Sequence, residues 1–242
     1  MSYACNLDSA APWRPRSNLE QWECQTSIPR HRHAHGYAAL VVSGGYEECG
    51  SFGRFQAREG QVLLHRPFDA HLDRFGRTGA RILSLPLRSQ PVYGLGRVAD
   101  PERIIHLAPK DLMEATESLF EQLRPVAPTP ADWPDLLASD LIRDPTLHLH
   151  VWAERQGLAR ESLARGFRKV FGITPAAFRA EARAHSAFLG IGDAAASLAH
   201  IAEATGFADQ AHMTRAISEL TGCPPGNWRK LNRFKTPPAA VT

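Results

Sequence analysis

Residues 157–175, GLARESLARGFRKVFGITP, return in looser form at residues 206–225, GFADQAHMTRAISELTGCPP. In the first copy Gly157 makes a tight turn and a helix follows over residues 160–171. Its apolar positions Leu163, Phe167, Val170 and Phe171 recur at i, i+4, i+7 and i+8, and a Gly-x-x-Pro stop closes it. At an offset of fifty, Ile201-Ala202 stand where Trp152-Ala153 stand and Met213 where Leu163 stands. Arg215 likewise matches Arg165, Ile217 matches Phe167, and Gly222-x-x-Pro225 matches Gly172-x-x-Pro175. The second turn, residues 206–209, is one residue longer and brings Asp209 to the helix N-cap. Two helix-turn-helix units are expected, joined by an Ala/Arg-rich helix over residues 176–189.

A helix that enters the major groove shows its base-reading side chains off the buried stripe. That rule nominates Arg160, Glu161, Ala164 and Arg165 in the first unit, and Gln210, His212, Thr214 and Arg215 in the second. Glu161 would accept from cytosine and Arg165 would fork onto guanine. Arg168, Lys169, Arg229 and Lys230 are expected on phosphates, and Arg179 and Arg183 in the linker helix. A solvated surface charge is the competing reading for each arginine. The matched places of Arg165 and Arg215 favour contact with double-stranded DNA.

The paired signature, GF-x-D-Q…R followed by G-x-x-P, resembles the AraC/XylS family of transcription regulators over residues 135–230. The resemblance implies two recognition helices in consecutive major grooves, and an N-terminal domain for effector binding and dimerisation. Ile217-Ser218 and Ala211 depart from the family pattern. The second unit is therefore expected to read bases less stringently, or to grip phosphate.

The first half is built differently. LEQWECQ, YAALVVSGGYEEC, GRFQARE, QVLLH and ARILSLPL are strand-length and separated by glycines, which indicates a β-barrel or sandwich. His31, His33 and His35 crowd one stretch, and alternate side chains of a strand share a face. His33-Ala34-His35 and residues 60–71 resemble the two motifs of a cupin barrel. That likeness makes His33, His35 and His71 the candidate metal or effector pocket. A metal-binding cupin would carry a glutamate where Ala39 and Leu40 stand. Three imidazoles still suit a divalent metal, and a metal-free ligand pocket is the alternative. Glu47, Glu48 and Cys49 are expected on a rim, and Arg54, Arg58, Arg66, Arg74, Arg77, Arg81 and Arg88 mostly in solvent.

Residues 108–123 have helical periodicity, for packing on the barrel or for a homodimer, and a Pro-rich connector follows. The fold class expected is α+β in two domains. A cupin-like domain spans residues 1–100, a helix and linker 101–134, and a two-unit DNA-binding domain 135–242. Within the 28 Lys+Arg and 25 Asp+Glu of the chain, residues 135–242 hold 13 and 10, so the excess positive charge lies there. Four scattered cysteines without a C-x-x-C pair read as free thiols. No run approaches the ~20 apolar residues of a membrane span, so a cytoplasmic protein is expected.

A transcription regulator controlled by a small ligand or metal accounts for both halves without enzymatic activity. The rivals are a metal-dependent cupin oxygenase or isomerase with a helical appendage, and a metal or redox sensor on the same scaffold that uses Cys24 or Cys49.

Overall fold

The computed structural model describes residues 19–87, 91–127, 130, 132–144, 146–193 and 195–233. The N-terminal lead with Cys5, Arg88, and Pro145 of the expected Asp144-Pro145 break lie outside the described residues.

Among the described residues the first half is one antiparallel sheet of eight strands: β1 (Leu19–Trp22), β2 (Ser27–Arg32), β3 (Tyr37–Gly50), β4 (Gly53–Arg58), β5 (Gln61–His65), β6 (Ala70–Pro86), β7 (Leu95–Arg97) and β8 (Arg124–Pro125). The path runs β1-β6-β3-β5-β7-β8, with β2 added on β6 and β4 on β3. The long strands β3 and β6 pair along almost their whole length, from Tyr37↔Pro86 to Cys49↔Leu72. Register shifts interrupt that ladder between Val41 and Ser43 and between Gly44 and Tyr46. Such shifts bend a strand and increase its local twist. Val41, Tyr46, Phe55, Leu63, Phe75 and Ile82 form an apolar cluster on the inner face.

Helices α1 (Pro101–Leu107) and α2 (Leu112–Gln122) cover the opposite face, where Ile104, Ala115 and Leu119 pack on Ala38, Leu40, Leu83 and Leu85. The expected single helix thus starts four residues later, because Asp111 caps it by accepting from the backbone N–H of Met113 and Glu114. Its apolar stripe is spent on its own sheet. After α2, β8 returns to pair with β7 and extends the sheet through Pro125.

Seven helices follow among the described residues: α3 (Trp133–Arg143), α4 (Leu149–Arg155), α5 (Arg160–Phe171), α6 (Pro175–Gly190), α7 (Leu198–Ala204), α8 (Gln210–Thr221) and α9 (Pro225–Arg233). The two expected units are α4–α5 and α7–α8. Gly157 (φ 65°) and Gly206 (φ 75°) make their turns in the left-handed region that glycine occupies without steric cost. Matched positions have matched burial: Trp152, Ala153, Leu163 and Phe167 in one unit, Ile201, Ala202, Met213 and Ile217 in the other. Gly166 interrupts α5 for a packing reason, since a Cβ there would lie 2.5 Å from the Trp133 ring of α3. Arg179 and Arg183 of α6 donate to the carbonyls of Leu147 and Gly206, so the connecting helix grips both units.

The halves are joined by extensive contacts. Cys49 and Leu72 of the sheet enter the core of the first unit, and Phe68 enters that of the second. Arg54 forks onto Asp135 at 3.0 and 2.8 Å and also reaches Asp132. His185 of α6 donates through Nε2 to the Pro67 carbonyl (2.8 Å) and lies 3.2 Å from Asp69.

Candidate effector cavity and nucleic-acid interface

A cavity of about 580 Å³ opens inside the sheet. Strand alternation decides what lines it. From β6 come His71, Asp73 and Phe75; from β3, Tyr37, Tyr46 and Glu48; from β1 and β2, Trp22, Ile28 and His31. One side is aromatic, with Phe75 stacked on Trp22 (5.3 Å between centroids) and Tyr46 (5.1 Å). The other is polar. His31 is the register partner of His71, and their rings are 4.3 Å apart. Tyr37 stacks on His65 at 4.3 Å, and its hydroxyl lies 3.4 Å from His71 Nε2.

Among the described residues two groups bring ligand atoms within 4.8 Å of one another: His31, His33 and His71, and Glu48, His65 and His71. This differs from the expected His33, His35 and His71. Residues 33–36 are a turn between β2 and β3, so His33 and His35 do not alternate along a strand. His31, still in β2, faces His71 instead, while His35 lines the cavity. The carboxylate missing after the histidine motif comes from later in β3. Glu48, expected on a rim, is buried and has Asp73 as register partner.

Burial sets the charge states here. It holds His65 down to about 3 and His71 well below the usual imidazole range, with neighbouring histidines adding to the effect at His71. His33 is lowered by burial and then by His31. The imidazoles at His33, His65 and His71 are therefore neutral, the form that ligates metals. Burial also raises Glu48 strongly, aided by Asp73, and raises Asp73 to about 7. His71 Nδ1 and Asp73 Oδ1 are buried without a hydrogen-bond partner. Buried polar atoms normally have one, so both mark a place where a ligand would be held.

The outer faces of the same strands hold the helical half. Between His31 and its neighbours the side chains alternate. Arg30 donates to Glu181 (2.6 Å) and to the Phe171 carbonyl (3.4 Å), and Arg32 donates to the Leu220 carbonyl (3.5 Å). Next to Asp73, Arg74 donates to the carbonyls of Lys169 (2.7 Å) and Val170 (2.8 Å). Cations at a helix C-terminus satisfy orphan carbonyls and oppose the negative end of the dipole. Arg74, one of the arginines expected mostly in solvent, thus clasps the C-terminal end of α5 together with Arg30, and Arg32 reaches that of α8. Cys49 faces the same way, buried, with its thiol pushed up to about 12 by burial and then by Glu47.

The outward faces of α5 and α8 are open. Arg160, Glu161, Arg165, Arg168 and Lys169 are exposed and Ala164 is half-buried; Glu161, Ala164, Arg165, Arg168, Lys169 and Thr174 line one groove. In α8, Gln210, His212 and Arg215 are exposed and Thr214 is half-buried. Asp209 caps the helix by accepting from the His212 backbone N–H at 2.6 Å. Lys230 is exposed, but Arg229 is turned inward, donating to the Ala196 carbonyl. Arg229 therefore braces α9 rather than extending to a phosphate, because an internal acceptor lies within its reach.

Of the cysteines, Cys24 and Cys49 are free and Cys223 is disulfide-bonded, which corrects the expectation of a free thiol there. Among the described residues no helix is long and apolar enough to cross a membrane. Sequence reasoning missed Glu48 and Asp73 in the cavity, and Arg30 and Arg74 as clasps. The signal available was period-two alternation through His71-Leu72-Asp73-Arg74, which separates inward from outward residues once one of them is placed.

Residues 152–231 match the model of a helix-turn-helix domain family. No curated protein matches the chain. Among solved structures, ToxT from Vibrio cholerae is 8% identical over 88% of this chain and 97% of that chain, with a TM-score of 0.40. The DNA-binding domain of AdpA, in complex with a target DNA, is 18% identical over 45% of this chain and 100% of that one, at a TM-score of 0.41. The C-terminal domain of AraT, a response regulator from Geobacillus stearothermophilus, is 18% identical over 45% of this chain and 90% of that one, at 0.39.

Proposed function

We propose that this chain, which carries an AraC-type helix-turn-helix domain at residues 152–231, is a sequence-specific DNA-binding transcription regulator controlled by a small ligand in the cavity of its sheet. The observation that carries the reading is the repetition of one exposed frame. α5 and α8 are held by α6, and Arg165 and Arg215 stand at the same place on each. Arg160, Glu161, Ala164, Arg165, Gln210, His212, Thr214 and Arg215 would read bases, while Arg168, Lys169 and Lys230 would hold phosphates.

Ligand control follows from the two-faced strands. A ligand that moves His31, His71 or Asp73 on the inner face displaces Arg30, Leu72 and Arg74 on the outer face, because they share a backbone. Those residues touch the ends of α5, where a Cβ on Gly172 would already lie 2.9 Å from Leu72. A ligand shifts the equilibrium between arrangements of the two units by its difference in affinity for them.

A second reading, a divalent metal as the effector, is favoured by the convergence of His31, His33 and His71. Three imidazoles and the unpartnered His71 Nδ1 fit zinc; the metal would supply a fixed positive charge that locks β2 to β6. The redox reading loses Cys49, whose buried thiol is the opposite of a reactive thiolate.

Selection of bound duplexes from a random pool, run on metal-free protein and again with zinc, tests the proposal. Enrichment of one motif supports the regulator, and a zinc-dependent change in affinity for that motif selects the metal reading. An unenriched pool contradicts the proposal.

A further inference from the structure

We infer that the effector is an organic cation, a small aromatic amine whose ring lies on the Trp22–Phe75–Tyr46 wall and whose ammonium group meets Glu48 and Asp73. The inference rests on the reading of the cavity as the effector site and goes on to name the ligand's chemical class.

Three observations converge. The first is the make-up of the lining. Glu20, Glu48 and Asp73 line the cavity, and among the described residues neither lysine nor arginine does. An anionic ligand would have no fixed cation to pair with there, and burying an unpaired charge is strongly unfavourable. The second is the orphaned oxygen. Asp73 is 6% exposed, its Oδ1 has no hydrogen-bond partner, and the side chain lines the cavity. Glu48, at 5% exposure, sits across the ladder as its register partner, so the two carboxyl groups stand side by side on the cavity face. A donor cation with several N–H groups satisfies both. The third is the remaining wall. Trp22, Tyr46, Phe75, Ile28, Ile82 and Ala39 offer apolar and aromatic surface in a volume of about 580 Å³, suited to an organic body rather than a bare ion. Aromatic faces further favour a cation over a neutral isostere.

The test uses the full-length protein, stripped of metal with a chelator and dialysed, and two matched series of probes. One is tryptamine, tryptophol and indole-3-acetate; the other is phenethylamine, 2-phenylethanol and phenylacetate. Affinities come from calorimetry, and DNA binding by the same preparation is measured in parallel. In at least one series the amine binds ten-fold or more tightly than the alcohol, and the acid binds weakest. Asp73→Asn and Glu48→Gln each reduce the amine toward the affinity of the alcohol while the urea unfolding transition is retained, which shows that the protein still folds.

An acid that binds as tightly as its amine overturns the inference, as does an amine preference that survives both substitutions. Tight zinc binding that excludes the amines also overturns it. If no probe binds while the protein still selects DNA, the cation class falls and the regulator reading stands. If DNA selection fails, that reading itself is lost.

Discussion

In the first unit α5 ends at Gly172 (φ 77°) over Leu163, Phe167 and Phe171, and in the second α8 ends at Gly222 (φ 74°) over Met213, Ile217 and Leu220. The frames coincide, but what is mounted on them does not. α5 carries Arg160, Glu161, Arg165, Arg168 and Lys169 outward, and its last carbonyls are taken by Arg30 and Arg74. α8 carries Gln210, His212 and Arg215, and receives one longer contact from Arg32. A single packing solution has thus been used twice with different chemistry. The unit whose second helix carries more exposed charged side chains is also the one bound more closely to the sheet, through Arg54, Cys49 and Leu72.

The cores give the sharpest way to break that comparison. Phe167 is fully buried and stacks on Phe171 at 4.6 Å, beside Phe178. Phe167→Ala is expected to cost about 3–5 kcal/mol, more than Ile217→Ala, in urea unfolding. Equal costs would mean that the second core is as tightly specified as the first.

The clasp comes next. Arg54→Ala leaves Asp135 buried without its main partner and should cost about 1–3 kcal/mol in the same unfolding measurement. A cost near zero would show that the first unit is not held by this fork.

On DNA, Arg165→Ala should lose about 1–3 kcal/mol and relax one base position, measured by fluorescence anisotropy on single-base variants of the selected site. Lys169→Ala should have the smallest effect. It weakens binding evenly across sequences and lowers the magnitude of the salt slope by about one. A sequence-dependent loss there would reassign Lys169 to base reading.

The repeat was legible because its signals are local. Glycine at the turn and at the stop, and apolar residues three and four apart, act within one helix, so Leu163 and Met213 declared themselves. The cavity was legible only in part. That a sheet existed followed from strand-length runs, but which histidine meets His71 depends on the register of β2 against β6. Because β2 ends at Arg32, His31 rather than His35 stands opposite His71. Glu48 lies 13 residues after His35 and reaches the cavity through two register shifts in β3, which no alternation count across residues 37–50 would carry correctly. The arginines were misjudged for a related reason. Arg54 and Arg74 look solvated in sequence because their partners, Asp135 and the carbonyls of Lys169 and Val170, lie far along the chain.

The unequal division of base reading between the units is tested most directly by repeating the selection from a random pool with Arg165→Ala and Arg215→Ala proteins beside wild type. The wild-type motif is expected to have two parts centred about 10–10.5 base pairs apart, the more constrained part blurring in Arg165→Ala and the less constrained part in Arg215→Ala. A motif whose more constrained part is lost in Arg215→Ala and kept in Arg165→Ala would contradict the account.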